Sequence, residues 1–194
     1  MKKVVYVLAL SLLVTSFGYA QDYKKFKVGV GLGYASASGY GSGGGVIFTI
    51  EPAYRLQDNL SIGLRWEAAA ITRGYSQTVS GANFDVAGIG SFTLNGQYYF
   101  GSGGDFRPFA GLGLGLYSLA GVSGSSSGSN ITATEAESKF GFYPRIGFDF
   151  HHFSMSADYN IVPPTKDILG GTGEFKNSYL GIRLGFFFGG GKNK

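Results

Sequence analysis

Leu60-Ser61-Ile62-Gly63-Leu64-Arg65-Trp66-Glu67-Ala68 places five apolar residues on alternate positions, with serine, glycine, arginine and glutamate between them. Successive side chains of an extended chain point to opposite faces, so this stretch has one greasy face and one polar or empty face. A helix, with its period of 3.6, would mix the two sets. The reading is therefore a strand whose two sides meet different surroundings.

Outward from this stretch the same alternation recurs in both directions. Phe26, Val28, Val30, Leu32 and Tyr34 alternate with lysines and glycines, and Phe140, Phe142, Ile146, Phe148 and Phe150 alternate with Gly141, Tyr143, Arg145, Gly147 and Asp149. Near the end of the chain Leu180, Ile182, Leu184, Phe186 and Phe188 alternate with Gly181, Arg183 and Gly185. Period-2 segments bounded by Gly, Ser, Pro, Asn and Asp are predicted near 24–34, 46–56, 60–72, 86–100, 106–119, 139–150, 153–160 and 174–188. The gaps between them run long, short, long, short, long, very short, long. A meander whose two ends face different environments has this form, whereas a Greek-key sandwich does not.

The first residues point to the environment. Lys2 and Lys3 precede the apolar run Val4 to Val14, and Gly18-Tyr19-Ala20 supplies small residues at a cleavage site before Gln21. An eleven-residue run falls short of the about 20 that a spanning helix needs. The expectation is a cleaved secretory signal at residues 1–20 and one domain at 21–194. In a bilayer each unpaired backbone group costs several kcal/mol, so a sheet survives there only by closing on itself. The predicted fold is all-β: a closed up-and-down antiparallel transmembrane β-barrel of eight strands in the bacterial outer membrane, its apolar set facing lipid.

Composition agrees with strands and turns. The chain has 34 glycines among 194 residues, 17 phenylalanines, 13 tyrosines and only 14% charged residues. Glycine costs about 1 kcal/mol relative to alanine in a helix, and a mean hydropathy of +0.08 is too low for a helical membrane protein. The formal charge of +4 falls to +2 once Lys2 and Lys3 are removed, which gives no footprint for nucleic acid. Cysteine is absent, so disulfide frameworks and thiolate metal sites are excluded. No cofactor, metal or catalytic set is expected.

The polar register carries the candidate site. It contains Lys25 and Lys27, then Glu51 and Arg55, then Arg65 and Glu67. Asn95, Gln97 and Arg107 follow, and the last segments add Arg145, Asp149, Asp158, Asn160 and Arg183. An eight-stranded lumen is only wide enough for side chains to fill it. Buried charges persist when paired, so these residues are expected to form an ion-pair network that plugs the barrel. A narrow pore in which the surplus of Arg and Lys favours anions is the alternative.

Two further patterns carry less. Gly111-Leu112-Gly113-Leu114-Gly115 has the look of a phosphate loop, but it lies inside an alternating run rather than between a strand and a helix. Strand glycine marks bending or close approach of other side chains. His152-Phe153-Ser154, with Asp158 nearby, resembles the His-x-Ser of lipid A deacylase barrels. A lipid A-modifying enzyme is the third reading, and topology opposes it: His151 and His152 fall in a tight turn on the side away from the outer leaflet. Aromatics near the strand ends, among them Tyr54, Tyr98, Phe106, Trp66 and Tyr159, fit interfacial girdles.

The strand number, the loop asymmetry and the final strand together resemble the small eight-stranded outer-membrane barrels, such as the transmembrane domain of outer membrane protein A and the OmpX-type proteins, over residues 24–188. The glycine- and aromatic-rich style is similar to porin-family barrels of Bacteroidetes. Tyr179-Leu180-Gly181-Ile182-Arg183-Leu184-Gly185-Phe186 looks like the C-terminal insertion signal of that family, with Gly181, Leu184 and Phe186 in matching positions. The family's last aromatic is usually the terminus, whereas here residues 189–194 follow Phe188. The resemblance implies outer-membrane lipid and the barrel-insertion machinery as partners, and no enzyme or receptor motif.

Overall fold

A computed structural model of the chain describes residues 22–39, 42–75, 83–101, 104–125, 131–133, 137–166 and 174–192. The signal expected at residues 1–20 lies outside them. The elements are β1 (Phe26–Ala37), β2 (Gly44–Gln57), β3 (Leu60–Tyr75), β4 (Asn83–Tyr99), β5 (Phe106–Ser125), β6 (Ile131–Ala133), β7 (Glu137–Phe150), β8 (Phe153–Asn160), β9 (Thr165–Lys166), β10 (Glu174–Lys176) and β11 (Tyr179–Gly189). β1 pairs with β2 on one side and with β11 on the other, all antiparallel, so the sheet closes. The wall runs β1-β2-β3-β4-β5-β7-β8-β11 and back to β1: eight strands, with β6, β9 and β10 as short additions beyond its loop end. Followed from strand to strand, the pairings climb toward that loop end, which is the stagger a tilted, closed wall requires.

Accessibility divides the alternating residues as an inside-out protein would. In β3 Arg65 and Glu67 are fully buried while Trp66 between them is 49% exposed. Leu112, Ile146 and Leu32 are each about two-thirds exposed, and Ile182 is exposed as well. A soluble sandwich would hide these side chains and solvate the charges. A continuous exposed apolar belt around buried charge is the arrangement that hydrocarbon selects.

The wall differs from the sequence reading at three places. The strands reach farther toward the loop end than their alternation suggested, so the first connection shrinks to residues 38–43. Lys25, placed in the inward register, stands before β1 and is exposed. The last segment is not one strand from 174. Phe175 and Lys176 pair with Tyr75 and Gly74 of β3, and Asn177 Nδ2 donates to Pro163 O at 2.7 Å. Ser178 Oγ lies 3.2 Å from both N and O of Val162. These ties pull the chain across the mouth before β11 begins.

One seam of the wall is short. β8 has eight residues, and its continuous ladder with β7 covers Arg145↔Asp158 to Phe150↔Phe153. It resumes only as the bridge Phe142↔Ile161, whose two hydrogen bonds measure 3.2 and 2.8 Å. Pro144 stands in the gap and has no N–H to give. Hydrogen exchange in detergent or nanodiscs is expected to open amides of this seam before those of the long β4–β5 seam. Pro144→Val should slow them. Equal protection along both seams would contradict this account.

Candidate functional site: the charged lumen

The inward faces of the eight strands stack their polar side chains in layers. In the middle of the barrel Arg65 (β3) reaches Asp158 Oδ2 (β8) with Nη1 at 3.0 Å and Asn160 Oδ1 with Nη2 at 3.1 Å. Arg183 (β11) donates to the same Asp158 oxygen and to Glu67 Oε2, and Arg65 Nε lies 3.7 Å from Glu67 Oε2. The two carboxylates thus sit between two guanidiniums, and all four residues are at most 3% exposed. Tyr179 donates to Glu67, Tyr117 donates to Asn160 at 2.8 Å, and Asn160 Nδ2 donates to Asp158 at 2.6 Å. Each carboxylate therefore has neutral donors as well as cations, which a buried ion pair needs to offset its desolvation.

Toward the turn end Arg145 (β7) grips Glu51 (β2) across the lumen, with Nη1 at 2.8 and 2.7 Å from the two carboxylate oxygens. Gln97 Nε2 adds a bond to Glu51 at 3.0 Å, and Arg145 Nη2 donates to Ser156 Oγ at 3.2 Å. Below them Lys27 Nζ lies 2.9 Å from Asp149 Oδ2 and 2.6 Å from the Tyr99 hydroxyl. Ser154 Oγ donates to Asp149 Oδ1 at 2.8 Å. A cavity of about 40 Å³ remains between these pairs, lined by Lys27, Glu51, Gln97 and Arg145 among others, enough for a few waters and no larger solute.

Parity also fills the two ends. Toward the loops the lumen turns apolar: Ala35, Ile47, Ile71, Ile89, Leu119 and Val162 pack into one buried cluster with Tyr117 and Tyr179. At the turn end Arg55 and Arg107 lie over the Tyr23 ring, 4.8 and 4.0 Å from its centre. Glycines make room for the rings. A Cβ at Gly113 would stand 2.1 Å from Tyr143 Cζ, and one at Gly141 would stand 2.9 Å from Tyr117 Cε2.

Of the residues singled out from sequence, Lys27, Glu51, Arg65, Glu67, Arg145, Asp149, Asp158 and Arg183 come together in this set of contacts. Arg55 and Arg107 stay apart at the mouth, and no ion pair joins either to a carboxylate among the described residues. On β11 Gly181 lies against the Arg183 guanidinium, while Leu184 and Phe186 are 52% and 54% exposed on the outer face. His152 Nδ1 lies 2.9 Å from Phe187 O with its ring stacked on Phe186, and Ser154 is bonded to Asp149. The two thus have separate partners, and the described residues hold no cluster of metal-binding side chains. Sequence reasoning missed Tyr23, Tyr99, Tyr117 and Tyr179 as lumen residues. For Tyr99, Tyr117 and Tyr179, parity relative to Gln97, Gly115 and Gly181 was the available signal; Tyr23 stands before β1.

Comparison with known proteins agrees with this wall and belt. Solved outer-membrane barrels share the fold, among them the following two. Neisserial surface protein A aligns with a TM-score of 0.54 at 18% identity, covering 84% of this chain and 96% of that one. OprG of Pseudomonas aeruginosa aligns with a TM-score of 0.51 at 14% identity, covering 87% and 98%. No curated protein sequence shows significant similarity. The family model described as outer membrane protein beta-barrel domain matches residues 6–188. With a closed eight-stranded wall, an apolar belt and a match over most of its length, the chain belongs to the outer membrane protein beta-barrel domain family and is a bacterial outer-membrane protein.

Proposed function

We propose that the protein is a non-conducting, non-enzymatic barrel that serves the envelope through its presence in the membrane and its surface loops. One observation carries the reading: Arg65, Glu67, Asp158 and Arg183 bridge β3, β8 and β11 across the lumen while Arg145 and Glu51 bridge β7 and β2. An ion entering would have to separate pairs whose members are nearly inaccessible to water. Planar-bilayer recording tests it. The expected result is little or no current from the purified protein, and steady open-state steps would replace this reading with that of a small anion-favouring pore.

In this proposal residues 1–20 are a removed signal, 21–194 form the mature barrel, and both termini lie in the periplasm. Gly181, Leu184 and Phe186 are then the positions that the insertion machinery reads. Exposure of Leu184 and Phe186 on the outer face of a wall strand supports that assignment.

A further inference from the structure

The lumen charges do not balance evenly along the axis. Lys27, Arg145, Arg65 and Arg183 are matched by Asp149, Glu51, Glu67 and Asp158. Arg55 and Arg107, only 3% and 6% exposed, have no such partner. Arg55 Nη1 donates to Gly190 O at 3.0 Å and Arg107 Nη2 donates to Asp58 O, while the buried Nε of each, like those of Arg65, Arg145 and Arg183, has no hydrogen-bond partner. Each lies over a ring rather than beside a carboxylate. Tyr23 is 5% exposed, with both guanidiniums over it, and its hydroxyl donates to Gly104 O at 3.2 Å. Tyr99 carries the same two cations on its ring at 5.6 and 4.3 Å.

Two like charges held this close favour an anion between them, since a buried cation without a counter-charge is costly. Two rings compensate part of this by cation–π attraction, which strengthens when the cation is desolvated. The Asp58 carboxylate stands nearby but is turned to the chain: its oxygens accept from the backbone N–H of Asp22 at 3.1 Å and of Tyr23 at 3.3 Å. Those bonds, Lys24 N to Gly191 O at 2.8 Å, the antiparallel bridge Tyr23↔Lys192 and the hydroxyl bond to Gly104 O hold the Tyr23 segment in place. It precedes β1 and is tied down mainly at exposed or part-buried atoms. Beside it opens a cleft of about 330 Å³ bordered by Tyr23, Tyr99, Asn59 and Arg107, with Asp22 and Asp58 on its rim.

We infer that Arg55 and Arg107 form an oxyanion site at the turn-end mouth, the periplasmic side in the proposed orientation, and that Tyr23 is a displaceable stopper seated in it. The ligand class is a phosphate or carboxylate group, small enough for the cleft and able to accept from both guanidiniums in their fork geometry. Binding requires Tyr23 to leave, so the segment Asp22–Lys24 swings out as the anion enters.

Trp66 is the single tryptophan and faces outward, so Trp66→Phe followed by Tyr23→Trp puts one reporter in the stopper. Full-length protein from outer membranes, in neutral detergent at constant ionic strength, is titrated with inorganic phosphate. The expected result is a saturable red shift as the ring meets water. A second arm uses Tyr23→Ala, expected to bind phosphate at least about tenfold more tightly than the wild type, with Arg107→Gln in that background returning binding to the wild-type level. Heat-modifiable migration checks that each variant is folded, and Arg107→Lys replaces Arg107→Gln if the latter is not; its point charge should restore only part of the gain. Nanodiscs with and without an anionic phospholipid separate a headgroup from a soluble ion: a red shift in the anionic discs alone assigns the site to the headgroup phosphate. No shift with either source, or equal binding by wild type and Tyr23→Ala, overturns the inference.

Discussion

Asp158→Asn is expected to destabilise the folded barrel by about 3–5 kcal/mol, the range for breaking a buried ion pair from one side. The amide keeps the carboxylate's shape, so the loss is of charge rather than volume. Two guanidiniums, Arg65 and Arg183, then face Glu67 alone, and neither can move to water because they are 0% and 3% exposed. At about 1.4 kcal/mol per factor of ten this is a change of at least a hundredfold in the folding equilibrium. Urea unfolding in lipid vesicles, followed by the heat-modifiable band, measures it. The contrast is Lys139→Gln: its pair with Glu137 at 2.5 Å is partly exposed, and its loss should cost below about 1 kcal/mol. Removing one surplus cation as well, with Arg183→Met in the Asp158→Asn background, should recover part of the loss. A lumen that tolerates Asp158→Asn as well as Lys139→Gln would be open to water, and the plugged reading would fail with it.

The barrel itself was legible because its evidence is repeated. Every wall strand contributes an alternation, and the turn spacing adds an independent constraint, so errors at single positions do not change the topology. Facing was legible for the same reason: a charge such as Arg65 between Leu64 and Trp66 can have only one side. Ends and partners were not. Val46 and Ile47 are adjacent and both apolar, so chemistry alone does not say that Ile47 is buried in the lumen and Val46 68% exposed. Parity also gives the face of Asp158 without saying that it meets Arg65 of β3, since that choice depends on the stagger of strands far apart in sequence. Tyrosine suits lipid interfaces and polar interiors alike, which concealed Tyr99, Tyr117 and Tyr179. The segment 174–178 alternates well enough for a strand, yet Asn177 and Ser178 spend their side chains on the preceding loop.

Gly113→Ala and Gly90→Ala should move stability in opposite directions, although each adds one methyl to a glycine in a strand. At Gly90 no atom lies within 4 Å of the added Cβ. The alanine there meets open space, stiffens the unfolded chain and is expected to be neutral or to stabilise by up to about 1 kcal/mol. At Gly113 the same atom lands 2.1 Å from Cζ and 2.4 Å from Oη of Tyr143. The ring cannot simply retreat, because it is fully buried, has the Arg65 guanidinium 3.7 Å from its centre and has its hydroxyl 3.4 Å from Thr93 Oγ1. Relief must come from moving Arg65, and with it the bonds to Asp158 and Asn160. About 3 kcal/mol is expected, the upper end for an overpacked interior. A double-mutant cycle with Tyr143→Ala locates the cause: the pair should be less destabilising than the sum of the singles by about 1–3 kcal/mol. Additive losses would mean that the glycine serves the backbone of β5 rather than the seat of Tyr143, and the charged layer above it would then owe its geometry to something other than that ring.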